Sequence, residues 1–124
     1  MRIGLLLTVV VLLSGCANKD ETYKKSIRPF YESLEKLQDD VKDGAISASF
    51  AADCDRAKEL LDKAHRDFTA EDQARPSFVT MESVMEGYST MRSVSGSMPD
   101  KIKPMAGMLA GDLEKAKESM DKGD

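Results

Sequence analysis

FAADCDRAKELLDKAHRDF, residues 50–68, is the stretch whose reading decides the fold. In it Phe50, Cys54, Ala57, Leu61, Ala64 and Phe68 recur at spacings of four and three, which keeps one stripe of a 3.6-residue helix turned toward a neighbour. Asp53, Asp55, Arg56, Glu59, Asp62, Lys63 and Arg66 take the other faces. An amphipathic helix of this kind is one wall of a core and needs other walls. It is expected to begin near Ser47.

Upstream, Ile27, Phe30, Tyr31, Leu34, Leu37 and Val41 fall on one face of a helix expected from Ser26. Pro29 is then placed in its first turn, where the missing N–H removes no helical bond. Asp43-Gly44 is the expected stop. Downstream, Thr69 to Asp72 has the form of a helix cap and Pro76 follows soon after, so a third helix is expected to start at one of the two or to bend there. Phe78, Met81, Val84, Met85, Tyr88 and Met91 fill about 140° of its circumference. A fourth helix, capped by Ser97-Met98-Pro99-Asp100 and closed by Gly123, carries Ile102, Met105, Ala106, Leu109, Leu113, Ala116 and Met120, with Pro104 bending or delaying its start. Four amphipathic helices, short connections and no alternating strand pattern predict an all-α protein, a small antiparallel four-helix bundle. If the prolines fray helices three and four, a three-helix core is the fallback.

Ahead of the bundle, Ile3 to Leu13 is apolar apart from Gly4 and Thr8, and ends in Leu13-Ser14-Gly15-Cys16. As a helix this run would span about 16 Å, against about 30 Å for a bilayer core, so it is too short to be a transmembrane helix. One positive charge, a short apolar core and a small-residue site form the layout of a secretory signal. Leu13-Ser14-Gly15-Cys16 resembles the lipobox of bacterial lipoprotein precursors. The resemblance implies cleavage before Cys16, a diacylglyceryl group on its sulfur and an acyl chain on its new amino group. It also implies a place in the cell envelope, and because Ala17 is not aspartate it favours the outer membrane, facing the periplasm, in a Gram-negative source. On this reading residues 1–15 are a signal peptide, 16–25 a lipidated tether and 26–124 the bundle domain.

Losing residues 1–15 of 124 leaves 109, enough for one compact domain. Loss of Arg2 leaves 17 basic residues against 22 acidic ones, a net charge of −5. A mildly acidic chain without a basic cluster is a poor match for nucleic acid or for electrostatic docking on anionic lipid. Lipidation of Cys16 leaves Cys54 unpaired, and its place on the seam suggests a small hydrophobe rather than a reactive or bridging thiol.

No pattern names a reaction. His65 lies eleven residues from Cys54, about 16 Å along one helix, so the two form neither a catalytic pair nor one metal site. There is no glycine-rich phosphate loop or zinc set, and Asp39, Asp40 and Asp43 lack EF-hand spacing and read as a solvated helix end. A non-enzymatic protein without metal or other cofactor is therefore expected. Met81 and Met85, one turn apart, suggest a small-ligand, copper or haem bundle as the alternative.

The leading expectation is that the bundle binds a protein partner. Between Ser77 and Pro99 only Glu82, Glu86 and Arg92 are charged, and charge depletion marks interface cores. The expected partner surface is Val79, Ser83, Gly87, Thr90 and Val94 on the back of the third helix, near the outward Gly107 and Gly111 of the fourth. A serine-rich solvent face is the blander account. With membrane attachment expected through Cys16 alone, Cys16→Ser should move the folded protein from the membrane to the soluble fraction, and membrane retention of that variant would contradict the anchor.

Overall fold

The structure, a computed structural model, describes the backbone of residues 2–124 and the side chains of residues 19–124. Leu13, Ser14, Gly15 and Cys16 lie outside the residues whose side chains are described. The helices are α1 (Arg2–Val41), α2 (Phe50–Asp67), α3 (Ala70–Gln73), α4 (Pro76–Val94) and α5 (Ile102–Asp121), with a 3-10 turn at Pro99–Lys101 before α5 and no strand among the described residues. α1 packs on α2 and α5, and α4 packs on the same two, so four long helices close a ring around one core.

The four apolar stripes meet inside this ring. Ile27, Leu34, Phe50, Ala57, Met81 and Tyr88 are among the side chains fully withdrawn from water, and Leu61, Phe68 and Met105 pack at the margin. Burying a large apolar side chain is worth about 1.5–3 kcal/mol, so these stripes carry most of the stability. All four long helices contribute, and the three-helix fallback is not the structure. Gly44 and Gly123, at φ 77° and 88°, end α1 and α5 in the left-handed conformation that glycine adopts without strain.

The packed domain begins earlier than Ser26. Tyr23 is buried one turn before Ile27, and its hydroxyl hydrogen-bonds the Ser77 hydroxyl at 2.7 Å, so the second half of the expected tether belongs to the bundle. Pro29 consequently sits inside α1 and not in its first turn. It is exposed, and there water can satisfy the carbonyl that its missing N–H leaves free. α2 begins at Phe50, because Ser47 and Ser49 are used in the turn. The Phe50 N–H bonds the Ser47 carbonyl at 3.2 Å, and the Ser49 hydroxyl donates to Asp40 Oδ1 at 3.2 Å.

Both expected starts of the third helix are used, by separate helices. The Thr69 hydroxyl accepts from the Asp72 N–H at 3.1 Å and caps the single turn α3, while Pro76 takes the first position of α4. Pro104 falls in the first turn of α5, after the 3-10 turn.

Gly87 is a correction to the expected partner surface. Building a Cβ there would drive it into the side chain of Leu109, so Gly87 lies in the contact between α4 and α5 and is not part of an open face. Gly107 and Gly111 have open space where a Cβ would stand. The same substitution should therefore have opposite effects at the two kinds of site. Gly107→Ala should raise the melting temperature through a helix-propensity gain of up to about 1 kcal/mol. Gly87→Ala should lower it, since overpacking typically costs about 1–3 kcal/mol. Equal shifts for the two variants in circular-dichroism melts would contradict the close contact.

Candidate functional site

The outer face of α4 presents Val79, Ser83 and Thr90, all exposed, with Val94 half-buried at its edge. Of the three charged side chains between Ser77 and Pro99, two are turned toward α2. Arg92 Nη1 donates to Asp55 Oδ1 at 2.7 Å, and Glu82 Oε2 meets His65 Nε2. Glu86 is the one charge left on the outer face. Two hydroxyls are directed into the helix itself: Thr90 Oγ1 donates to the Glu86 carbonyl at 3.1 Å and Ser93 Oγ to the Ser89 carbonyl at 3.2 Å. Such back-bonded hydroxyls lose less on leaving water than free ones.

On α5, Gly107 and Gly111 lie about 160–200° round from Leu109, which points at Gly87, so they face outward beside the α4 contact rather than into it. Lys103 stands against Gly44 at the end of α1. Met108 is about 140° round the helix from Lys103, on the flank of α5 turned away from α1. It is 63% exposed, and Val79 is 53% exposed. With Met98 these are the large exposed apolar side chains among the described residues. The structure thus keeps Val79, Ser83, Thr90, Gly107 and Gly111 outward, leaves Val94 at the rim, and removes Gly87. Met108 is the residue that seam reading leaves aside, although its position off the core stripe is the signal for it.

At the end of the bundle where α1 leads back toward Cys16, polar groups converge on Arg75. Its side chain is 13% exposed and donates to Asp72 Oδ1 at 2.8 Å, Asp20 Oδ1 at 2.9 Å and the Gly123 carbonyl at 2.8 Å. The guanidinium lies 4.4 Å from the Tyr23 ring centroid. Ser77, expected on the serine-rich back, is instead buried at this end, where its hydroxyl and N–H donate to Asp124 O at 2.9 and 3.3 Å. Neither Arg75 nor Ser77 carries a periodic signal, since their partners come from distant segments.

The interior offers little nucleophilic chemistry. Cys54 is buried, and burial pushes its thiol up to about 11, so it stays protonated and packs as a hydrophobe. Burial also raises the Tyr88 phenol, whose hydroxyl has no partner among the described residues. Asp40 is a partial exception to the expected solvated helix end. It is half-buried, and burial, together with the neighbouring Asp53 carboxyl, raises its pKa. Met81 and Met85 are buried in the core, and His65, on the surface, is not brought to them.

Comparison with protein-family profiles, curated proteins and solved structures finds no match to this chain, so its own residues carry the functional argument.

His65 joins α2 to α4 in a pH-dependent way. Gln73 Nε2 donates to the His65 and Phe68 carbonyls at 3.3 and 2.9 Å, which turns Gln73 Oε1 toward His65 Nδ1 at 2.9 Å. With Glu82 at Nε2, both ring nitrogens face acceptors and the imidazolium is favoured. The Gln73 hydrogen bond is the largest influence on His65; burial opposes it, and the hydrogen bond and charge of Glu82 with the charge of Asp62 add to it, so that the His65 pKa is raised above 6.5. A raised folded-state pKa gives stability that is complete below the unfolded value and lost as pH rises through the folded one. The melting temperature should therefore fall as pH rises through that window, and His65→Ala should remove this component. A His65→Ala protein with the same pH dependence would refute it.

Proposed function

We propose that this chain is a lipid-anchored protein of the cell envelope whose helical bundle binds a protein partner, without catalysis, through the outer face of α4 and the adjoining back of α5. The observation that carries this reading is the outer face of α4, where Val79 is exposed and Glu86 is the single charge of that helix face, with a second exposed apolar side chain, Met108, on neighbouring α5. Interface cores are depleted in charge and enriched in methionine. Hydroxyls already bonded to their own helix lower the cost of covering the face. The open backbone at Gly107 and Gly111 lets a partner come close to α5.

The anchor belongs to the same proposal. Among the described residues no helix is long and apolar enough to cross a membrane. Cys16, modified as the lipobox resemblance implies, would hold the bundle at the surface of the outer membrane, on the periplasmic side in a Gram-negative source. More than one acyl chain is needed for stable anchoring, because a single chain binds only marginally. The tether is short, since Asp20 and Tyr23 are already engaged by the bundle. A partner is therefore met close to the membrane.

The test is recovery of crosslinked partners from intact membranes with the native chain and with Ser83→Lys plus Thr90→Lys. Both residues are exposed, so the double variant should fold with unchanged helicity and melting temperature. It should lose partner recovery. A folded variant that recovers the same partners in the same yield would exclude this face.

A further inference from the structure

Two carboxylate oxygens, Asp40 Oδ2 at the end of α1 and Asp53 Oδ2 in the first turn of α2, are withdrawn from water without a hydrogen-bond donor. The two carboxyl groups stand within hydrogen-bonding reach of each other. A buried carboxylate oxygen without a donor is costly, and two of them side by side also repel. One proton between them removes both costs, because a protonated carboxyl donates where an ionised one accepts. The surroundings decide which group holds it. On Asp40 the Ser49 hydroxyl already donates to Oδ1 at 3.2 Å, so Oδ2 is the oxygen left to carry a proton. Asp53 Oδ2 has the Lys36 ammonium at 3.9 Å, too far for a hydrogen bond but close enough to favour the charged form.

Around the pair, α1 presents Glu32, Lys36 and the exposed Asp39, the following turn presents Asp43, and α2 presents Arg56 and the protonated Cys54 thiol. Arg92 of α4 is held by Asp55, and Lys103 of α5 stands against Gly44. Asp40 itself has no ion pair among the described residues. Burial, and then the Asp53 carboxyl, raises its pKa against the opposing hydrogen bonds of Ser47 and Ser49. We propose that Asp40 and Asp53 share one proton and form a pH-sensitive latch that holds the start of α2 on the end of α1. The Asp40 carbonyl accepts from the Ser47 N–H at 3.0 Å, and the Ser47 carbonyl accepts from the Phe50 N–H at 3.2 Å, so freeing Asp40 loosens the whole connection 42–49. A carboxyl whose folded pKa is raised adds stability that is complete below its unfolded value and lost as pH rises through the folded one. The latch is therefore closed in acid and released toward neutral pH.

The experiment compares the purified chain carrying Cys16→Ser with the same chain carrying Asp40→Asn as well, whose amide supplies a permanent N–H donor where the shared proton stands. At neutral pH the Asp40→Asn protein should melt about 3–5 °C higher, and the gap should close as pH falls through the titration of Asp40. Both proteins keep His65, so its titration cancels in the difference. Hydrogen-exchange protection factors of the Ser47 and Phe50 amides should fall toward neutral pH in the native sequence and stay level in Asp40→Asn. A carboxyl-carbon NMR titration, which needs no substitution in the pair, should show Asp40 holding its proton to higher pH than the exposed Asp39, with Asp53 sensing the same step. Asp40 titrating together with Asp39, an Asp40→Asn protein that melts at or below the native temperature at neutral pH, or a gap that does not change with pH would each overturn the latch.

Discussion

A guanidinium withdrawn from water must find a partner for each N–H group it turns inward, and the partners of Arg75 come from three separate parts of the chain. Asp20 belongs to α1, Asp72 to α3 and Gly123 to the turn after α5, while the Tyr23 ring covers one face of the cation. Arg75 itself is the residue before α4. One side chain thereby fixes the beginning of the packed domain, the sharp passage from α3 into α4 and the end of α5 relative to each other. Tyr23 and Ser77 continue the arrangement inward, since a buried phenol and a buried hydroxyl each need a partner and here share one hydrogen bond.

That cluster also shapes the surfaces around it. Because Arg75 draws Asp72 in, α3 folds back over the end of α2, and Phe68, Thr69 and Asp72 come to wall the groove between α1 and α2. On the other side of α2, Gln73 follows Asp72 in the same turn, and its amide is locked by two backbone carbonyls before it meets His65. Glu82 and Arg92 of α4 are then both used against α2, which is why the outer face of α4 is left with Glu86. The uncharged face is thus a product of where the neighbours' charges lie, beyond being a property of the serine-rich sequence.

The fold was legible where stability depends on periodicity. All four stripes named from spacing are in the core, and the stops at Gly44 and Gly123 are where the backbone turns left-handed. The losses fall where a residue's fate depends on another segment. Tyr23 continues the α1 stripe but stands in a polar neighbourhood, and only Ser77, fifty-four positions away, reveals what its hydroxyl is for. Gly87 reads as outward from spacing although it lies only about 40° from Met91 on the helix circumference, at the margin of the buried arc. The width of that arc is set by the approach of the neighbouring helix, and a glycine lets Leu109 come closer than any other residue would. Helical angle alone therefore misplaces small residues at the margin. Met108 is the converse: its angle put it outside the core correctly, but methionines on this chain are so often buried that its exposure reads as meaningful only once the neighbouring helices are in place.

The core behind the proposed partner face argues that binding there leaves the rest of the bundle unmoved. Coupling between sites requires an element with two arrangements that each ligand stabilises differently. Behind the α4–α5 face stand Phe30, Phe78, Met81 and Tyr88, side chains fully or almost fully removed from water, with Tyr88 edge-on to Phe50. A close-packed interior of this kind has no spare volume for a second packing. The one polar bridge from end to end of the sequence, at Arg75, has its inward donors satisfied, so shifting it would leave a cation without partners. A partner on that face would then meet a surface that is already formed. The bundle presents that face on a rigid frame.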